Sequence, residues 1–415
     1  MSIDPEIDQK GERMTKTDLI EKAQLYLNTL CVDIKTRRVG SQGNQEATAF
    51  FAETVAAFGF AVESLAFECI DLIYGDVHMR AGDQTFEAFV SPYSLGWHGT
   101  AEMVEAATLP ELEALDAAGK ILFLHGDIAK EQLMPKNFTF YNPDHHKEIY
   151  RLIEKARPLA IIAATSRNPE LAGGMYPFPL IEDGDFDIPS VYMTAEEGQR
   201  LALAGAKEIN LSFEAERIPS KGSNVYARKG QQPERRIVVC AHIDAKDGTP
   251  GALDNGTGIV TLLLLAELLK DYAGEFQVEL VAINGEDYYG ANGEVQLVEV
   301  NQGKFDEILL AINIDAAGYI EGDTHYSTYN PTPDQSDSIR RAFTPYETID
   351  EGVQWYQSDH SIFIQNGRPA VAITSKDFMY LSTYITHTTK DRPELVDYQK
   401  LVDLSLGLRN LVEDL

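Results

Sequence analysis

The stretch "AHIDAKDGTPGALDNGTG", residues 241–258, directly follows the apolar run "RIVVC", residues 236–240. A short run that is apolar throughout is typical of a strand buried on both faces of a sheet. The chain then places His242, Asp244 and Asp254 among glycines. In open α/β sheets, sites form in the loops that leave the carboxyl ends of the strands. The stretch therefore predicts both an α/β sheet and a candidate site at its edge.

Similar apolar runs recur further along the C-terminal part of the chain, separated by helix-like stretches such as "GIVTLLLLAELLKDY". Each run is followed by side chains that can bind a metal or move a proton. Glu286 and Asp287 follow "VELVAIN", Asp315 follows "EILLAINI", and His387 follows the last strand region. This alternation predicts an α/β fold in which a sheet lies between helices. We expect these side chains to meet at one edge of that sheet.

Carboxylates and imidazoles that converge at one edge indicate a metal site, because without a cation they repel and desolvate one another. Histidine and carboxylate without cysteine suit zinc, with manganese or cobalt as possible substitutes. One catalytic zinc usually takes three protein ligands, so five candidates suffice for two ions if one carboxylate bridges them. The five candidates are His242, Asp254, Asp287, Asp315 and His387.

The rest of the chain divides by its pattern into three segments. Two amphipathic helices flank the glycine-rich "RRVGSQGN", residues 37–44, and need a sheet on which to pack. From about Ala61, short strand-like runs such as "KILFLHG" are broken by Gly, Pro and Asp. We therefore predict an N-terminal part of the α/β domain at residues 1–62, an inserted β-rich domain at 63–222, and the remainder of the α/β domain at 223–415.

Composition limits the partners and the compartment. The chain has 35 basic and 65 acidic side chains, a formal charge of −30, which opposes binding to nucleic acid or anionic lipid. The excess could attract cationic substrates or simply keep a solvated surface soluble. Cys31, Cys69 and Cys240 lack CxxC spacing, and no apolar run resembles an export signal or a membrane span. We expect a cytoplasmic protein; the oligomeric state stays open.

Five motifs in one order resemble those of the co-catalytic two-zinc aminopeptidase family. They are "RRVGSQGN", "HID…GALDNGTG", "NGEDYYG", "NIDAAG" and "HTTKD". This family belongs to clan MH and is related to glutamate carboxypeptidase II, glutaminyl cyclase and the transferrin receptor. The resemblance implies a phosphorylase/hydrolase-like fold with a mixed central sheet. The stretches "AAGKILFLHGD", "PLAIIAAT" and "FDIPSVYMTAEEGQRL" resemble the protease-associated domain that is often inserted in the family.

The resemblance also implies how the five metal ligands are shared. His242 and Asp315 would bind one zinc, Asp287 and His387 would bind the other, and Asp254 would bridge the two. Many family members have a second glutamate at the position of Asp287. Aspartate is one methylene shorter, which bears on the affinity and metal preference of that site.

Further roles follow from the same resemblance. Glu286 would be the general base that activates the attacking water and passes its proton to the departing amine. Asp244 would accept a hydrogen bond from the imidazole nitrogen of His242 that faces away from the metal. Asp391, four residues after His387, could orient that histidine in the same way, or cap a helix or lie at the surface.

Other candidates are weaker. His360, in "YQSDHSIF", lies in a motif that resembles an active-site loop of the family, and substrate contact and a structural role are both open. Tyr380 and Tyr384 could donate a hydroxyl to the oxyanion or could pack as aromatic side chains. His145 and His146 are neighbours in sequence and point apart on a helix or strand, so they form a poor metal pair.

The resulting prediction is a metal-dependent exopeptidase that hydrolyses N-terminal residues from peptides through a metal-bridging hydroxide and a glutamate general base. A metallocarboxypeptidase stays open, because the loops around the ligands also contain cations that could bind a substrate carboxylate. These cations are Lys246, Arg368, Lys376 and Lys390. A glutaminyl-cyclase-like enzyme is disfavoured by the five ligands, and a non-catalytic receptor or scaffold is disfavoured by Glu286. The side chain preferred at the cleaved position is not predicted.

Overall fold

A computed structural model of the chain describes residues 15–167 and 175–415, together with the backbone of two short strands before them. In chain order, the strands are β1 (Glu6–Ile7), β2 (Arg13–Met14), β3 (Ala61–Tyr74), β4 (His78–Ala81), β5 (Gln84–Phe86), β6 (Phe89–Val90), β7 (Trp97–Ala106), β8 (Ile121–Leu124), β9 (Ala160–Thr165), β10 (Ser190–Thr194), β11 (Glu208–Phe213), β12 (Ala215–Lys229), β13 (Gln232–His242), β14 (Phe276–Ile283), β15 (Ile308–Ile314), β16 (Thr324–Tyr329), β17 (Ile349–Glu351) and β18 (Ala370–Ser375).

The α-helices of the same residues are α1 (Lys16–Asn28), α2 (Gln42–Ala57), α3 (Leu109–Ala114), α4 (Asp144–Ala156), α5 (Ala195–Leu203), α6 (Thr257–Leu268), α7 (Asn292–Val300), α8 (Pro333–Phe343), α9 (His360–Gln365), α10 (Phe378–Tyr384) and α11 (Tyr398–Asp414). The chain divides into two compact units. The first contains residues 1–67, 222–288 and 292–415, and the second contains residues 68–221 and 289–291.

A mixed eight-stranded sheet forms the centre of the first unit. Its strand order is β17-β16-β18-β15-β13-β14-β12-β3. The middle is parallel, because β13 pairs with β14 and β15, and β15 pairs with β18. On either side, β12 and β16 run antiparallel to their neighbours β14 and β18. The prediction of an α/β fold with a mixed central sheet is confirmed.

Helix α6 lies in the middle of the core of the first unit. All of its residues from Thr257 to Leu268 are buried, as in a helix that is apolar all round. It packs against α1, α2, α11 and the parallel strands β13 and β14. The helix begins one residue after the turn Ala252–Gly256, which contains Asp254. A fully buried helix therefore anchors one of the predicted ligands.

The second unit is built around another eight-stranded sheet, in the order β5-β4-β11-β7-β8-β9-β10-β6. Helices α3, α4 and α5 belong to this unit. Apolar side chains of β8, β9 and α4, such as Leu122, Ile161 and Ile153, are fully buried in one of its two cores. The sequence pattern predicted this domain at residues 63–222. Its assignment as a protease-associated domain stays a prediction.

The cysteines and the helices bear on the predicted compartment. Cys31, Cys69 and Cys240 are free thiols, and all three are buried. In the part of the chain that the structure describes, no helix is both long enough and apolar enough to span a membrane. The cytoplasmic location stays a prediction.

Candidate metal centre

The predicted site residues lie where the parallel strands of the first unit end. His242 is the last residue of β13, Glu286 and Asp287 come shortly after β14, and Asp315 directly follows β15. His387 comes after α10, which follows β18. Because these strands are parallel neighbours in the sheet, their carboxyl ends meet at one edge.

The structure brings the five predicted metal ligands together in two groups that share one carboxylate. In the first group, His242 Nε2 is 3.1 Å from Asp254 Oδ1 and 3.7 Å from Asp315 Oδ1. In the second, His387 Nε2 is 3.0 Å from both Asp254 Oδ2 and Asp287 Oδ1. The ligand atoms of each group all lie within 4.8 Å of one another. Asp254 therefore presents a different oxygen to each histidine.

The charges of these groups favour a cation. Burial alone would lower the pKa of His242, but the surrounding carboxylates raise that pKa well above its ordinary value. Burial would also lower the pKa of His387, but the neighbouring carboxylates Asp287 and Asp254 raise it well above its ordinary value. For Asp254 itself, the two imidazoles outweigh burial and lower the pKa. Positive charge at this edge therefore stabilises the buried carboxylates.

Unpaired atoms provide a separate test of whether a metal fits. Within the described ranges, both ring nitrogens of His242 and Asp287 Oδ2 are buried without a hydrogen-bond partner. Buried polar groups are nearly always hydrogen-bonded, so ligand atoms left unpaired in one cluster indicate a missing partner. Imidazoles and carboxylates without cysteine form a donor set that suits zinc. The residues present therefore fit a metal.

Glu286 lies beside the ligands rather than among the five. Its carboxylate is grouped with His242 and Asp287, with candidate ligand atoms within 4.8 Å of one another. Burial, and then the charges of Asp287 and Asp315, raise the pKa of Glu286 well above its ordinary value. A carboxylate whose pKa is raised in this way binds a proton more strongly than an ordinary glutamate does.

Asp244 has a different set of partners from the one that the sequence predicted. Its carboxylate is 3.6 Å from His242 Nδ1, which is too long for a hydrogen bond. Instead, Oδ1 accepts from the backbone N–H groups of Gly285 (2.8 Å) and Glu286 (3.3 Å), and Oδ2 accepts from that of Asp287 (3.0 Å). Asp244 thus acts on His242 through its charge and fixes the turn that carries Glu286 and Asp287 through hydrogen bonds.

Asp391 also differs from its predicted role. The side chain is fully buried, and its two oxygens accept from the backbone N–H groups of Leu253 (2.7 Å) and Asp254 (3.0 Å). Burial and the nearby charge of Asp254 raise the pKa of Asp391 to about 7. Both oxygens are thus committed to the turn of the shared ligand rather than to His387.

A cavity of about 210 Å³ opens beside the two ligand groups. Asp254, Glu286, Asp315 and His387 form its polar side. Its apolar side is made of Trp355, Phe378 and Leu381. The Trp355 and Phe378 rings pack against each other with their centroids 5.3 Å apart. The sequence analysis missed these three residues, although the aromatic residues stand next to motifs that it singled out.

Of the two roles left open for His360, the structure favours the structural one over substrate contact. The side chain is fully buried, and its Nε2 lies 2.8 Å from the backbone oxygen of Trp355. The His360 ring also packs edge-on against the Trp355 ring, with centroids 4.6 Å apart. His360 is not among the residues that line the cavity. It has the structural role that the sequence left open, and it fixes the position of Trp355.

Tyr380 and Tyr384 do not face the cavity either. They are 49% and 41% exposed, and their rings pack against each other at 5.1 Å. Other residues of the same helix, Phe378 and Leu381, line the cavity instead. Phe378 and Leu381 are three residues apart and share one face of the helix, which is the face toward the cavity.

A second cluster of possible ligands lies in the second unit. The Nε2 atoms of His145 and His146 are 3.0 and 3.5 Å from Glu131 Oε1. The backbone N–H of Met134, however, donates to Nδ1 of His146 at 3.1 Å. That bond uses the Nδ1 lone pair, so a neutral His146 carries its proton on Nε2 and cannot bind a metal there. The arrangement favours a hydrogen-bonded cluster over a metal site.

The fold and the site together define a class, the zinc aminopeptidase fold. A solved structure described as a zinc aminopeptidase from Bacillus subtilis superposes with a TM-score of 0.72. The superposition covers 95% of this chain and 94% of that protein, at 19% sequence identity. At this identity the likeness concerns the fold alone.

The sequence comparisons point the same way. Residues 224–412 match the model of peptidase family M28. The probable leucine aminopeptidase 2 of Aspergillus oryzae is 25% identical over 320 residues, and carboxypeptidase Q of Mus musculus is 22% identical over 316. These alignments cover 71% and 73% of this chain but only 60% and 64% of the relatives, so the chain spans less than two thirds of their length. The resemblance read from the five motifs is confirmed.

Proposed function

We propose that the chain is a metallo-aminopeptidase that binds two zinc ions and hydrolyses N-terminal residues from peptides. The observation that carries this proposal is the sharing of Asp254. Its two oxygens face two separate histidine groups, next to a carboxyl group that belongs to neither. His242 and Asp315 would hold one zinc, and Asp287 and His387 would hold the other.

When bound, the zinc ions would polarise the scissile carbonyl and lower the pKa of a water. The remaining chemistry belongs to Glu286. Its carboxylate takes a proton from the attacking water and then gives that proton to the departing amine. Burial raises the pKa of Glu286 and so strengthens its carboxylate as a proton acceptor.

The charge of the cavity supports cleavage at the amino end. A carboxypeptidase must supply Arg or Lys to bind the substrate carboxylate. The residues described as lining the cavity include Asp254, Glu286 and Asp315 but no lysine or arginine. Arg368, one of the cations predicted as an alternative, instead binds the backbone oxygen of Ile308 at the opposite end of β15. A cavity without such a cation favours a substrate that presents its amino end.

The apolar side of the cavity supports a preference at the cleaved position. Trp355, Phe378 and Leu381 would contact the side chain of the N-terminal residue, which favours apolar residues. One of the similar proteins is named as a leucine aminopeptidase, which agrees with that preference.

The experiment that tests this function is a digest of a mixed peptide library, half of it N-acetylated, by zinc-loaded protein, with products followed by mass. We expect only free N-termini to shorten, with about two zinc ions per chain. Glu286→Gln should abolish the shortening while keeping the metal, whereas Glu347→Gln, which changes an exposed glutamate of the same unit, should act like the unmodified protein.

The other outcomes separate the alternatives. Shortening from C-termini would establish a carboxypeptidase, the activity named for one of the relatives. Cyclisation of N-terminal glutamine would establish a glutaminyl-cyclase-like enzyme. No change in any peptide, with metal bound, would leave a non-catalytic binding protein.

A further inference from the structure

We infer that the segment "RRVGSQGN", residues 37–44, positions the metal-binding loops of the site through Arg37 and Asn44. The segment lies outside residues 224–412, the part that matches peptidase family M28. None of its residues is a candidate ligand. The inference rests on the proposed function only where it predicts a change in the catalytic rate. The change that it predicts in metal binding can be measured without a substrate.

The guanidinium of Arg37 binds both ends of the loop after β13. The side chain is 2% exposed. Its Nε donates to the backbone oxygen of Ile243 at 2.9 Å, at the start of the loop. Its Nη1 and Nη2 donate to those of Pro250 (2.9 Å) and Gly251 (2.7 Å), shortly before Asp254. One planar group therefore ties together the two ends of the segment between His242 and the turn that carries the shared ligand.

The loop is packed closely onto this guanidinium. A Cβ atom at Gly251 would lie 2.8 Å from Arg37 Nη2 and 2.6 Å from the backbone oxygen of Asp254. Gly251 also has φ of +60°, which favours glycine. A lysine could not replace Arg37, because one ammonium on a flexible stem lacks the planar fork of donors that reaches these oxygens together.

Asp391 binds the same loop from the other side. Arg37 takes the carbonyl groups of Pro250 and Gly251, and Asp391 takes the N–H groups of Leu253 and Asp254. A buried guanidinium and a buried carboxyl group thus bind consecutive stretches of one turn. The backbone of Asp254 has little freedom to move between them.

Asn44 makes the corresponding connection to the loop after β14. Its Nδ2 donates to Asn284 Oδ1 at 2.8 Å, and Asn284 Nδ2 donates back to Asn44 Oδ1 at 2.9 Å. Asn44 Nδ2 also donates to the backbone oxygen of Arg37 at 2.9 Å. Both asparagines are fully buried, and Asn284 stands two residues before Glu286. The segment thereby links the loop of the shared ligand to the loop of the proposed base.

The test compares Arg37→Lys with Arg236→Lys. Arg236 is a buried arginine near the amino end of β13, where it binds Glu279, far along the strand from His242. Both variants should lower the urea concentration at half-unfolding. Only Arg37→Lys should also weaken zinc binding, by about 10- to 100-fold in a chelator competition, as loss of residues that orient metal ligands does. It should also change the visible spectrum of the cobalt-substituted protein, which reports ligand geometry.

A second variant tests the Asn44 connection. Asn44→Asp keeps the shape but removes the two N–H donations, so Glu286 should be displaced with little effect on the ligands of the other loop. We expect kcat to fall by about tenfold or more, with KM and the zinc affinity of the group that contains His242 nearly unchanged.

Two results would overturn the inference. One is an Arg37→Lys variant that matches Arg236→Lys in zinc affinity and in cobalt spectrum; the other is an Asn44→Asp variant whose kcat is unchanged. A protein that binds zinc with the expected Arg37 dependence but cleaves no peptide would refute the proposed function and leave the positioning role of Arg37 supported.

Discussion

The substitution Asp244→Asn tests what fixes the turn between β14 and α7. The carboxylate of Asp244 is 1% exposed and accepts three backbone N–H groups, from Gly285, Glu286 and Asp287. Asparagine has nearly the same shape, but its amide offers one oxygen and one NH₂ group. If the amide oxygen of the new side chain keeps the place of Oδ1, its NH₂ group faces the backbone N–H of Asp287. Both groups are donors, so this hydrogen bond is lost.

The magnitude follows from these contacts. Loss of one hydrogen bond to a charged acceptor costs about 1.5–3 kcal/mol, and a buried N–H left without a partner costs a further ~1–3 kcal/mol. We expect the free energy of unfolding to fall by about 3–5 kcal/mol. Because the turn also carries Asp287, the zinc affinity of the group that contains His387 should fall by about 10- to 100-fold. The group of His242 should lose less.

The assay is urea unfolding followed by circular dichroism, combined with a zinc titration against a chromophoric chelator. Asp350→Asn, at an exposed position of the same unit, is the control. The reasoning would be refuted by a variant with unchanged stability and two unchanged zinc affinities. A loss confined to the His242 group would instead support the role predicted from the sequence, in which Asp244 acts through that histidine.

Three further predictions concern pH, specificity and stability. Because the pKa values of His242 and His387 are raised in the metal-free protein, protons compete with zinc for these histidines. As the pH rises, the affinity for zinc should increase by up to about tenfold per pH unit for each proton displaced. A chelator titration that shows no pH dependence would contradict this. Trp355→Ala should lower kcat/KM for N-terminal leucine relative to alanine by about tenfold, and an unchanged ratio would exclude Trp355 as a specificity residue. Lys400→Met removes the buried ammonium that donates to three carbonyl oxygens, those of Tyr319, Ile320 and Gly322. The free energy of unfolding in urea should fall by about 2–4 kcal/mol, and an equal midpoint would argue against this.

The strands of the first unit and the ligands at their ends could be predicted from the sequence, because both depend on local pattern. Apolar runs such as "RIVVC" are buried as predicted, and His242, Asp287 and Asp315 stand within a few residues of such a run. The direction of each strand could not be predicted from local pattern. That β12 and β16 run antiparallel to their neighbours depends on where the chain returns to the sheet, which periodicity does not specify.

The side chains that support the ligands could not be predicted in the same way. Asp244 binds residues 41 to 43 positions away, and Asp391 binds residues 137 and 138 positions away. A short spacing suggested a histidine partner for each, but the folded backbone supplies nearer donors. That Phe378 rather than Tyr380 lines the cavity could not be predicted for another reason, because the rotation of a seven-residue helix about its axis is set by packing rather than by sequence spacing.

Helix α6 has no face toward solvent, and the turn that carries Asp254 leads directly into it. In native proteins, segments exchange their amide hydrogens at rates set by how much structure must open to expose them. The turn can therefore open only together with the core around α6, on the slowest timescale of the first unit. Release of a bound ion by backbone motion would then accompany global unfolding of that unit rather than local fraying, and zinc retention would report on the integrity of the core.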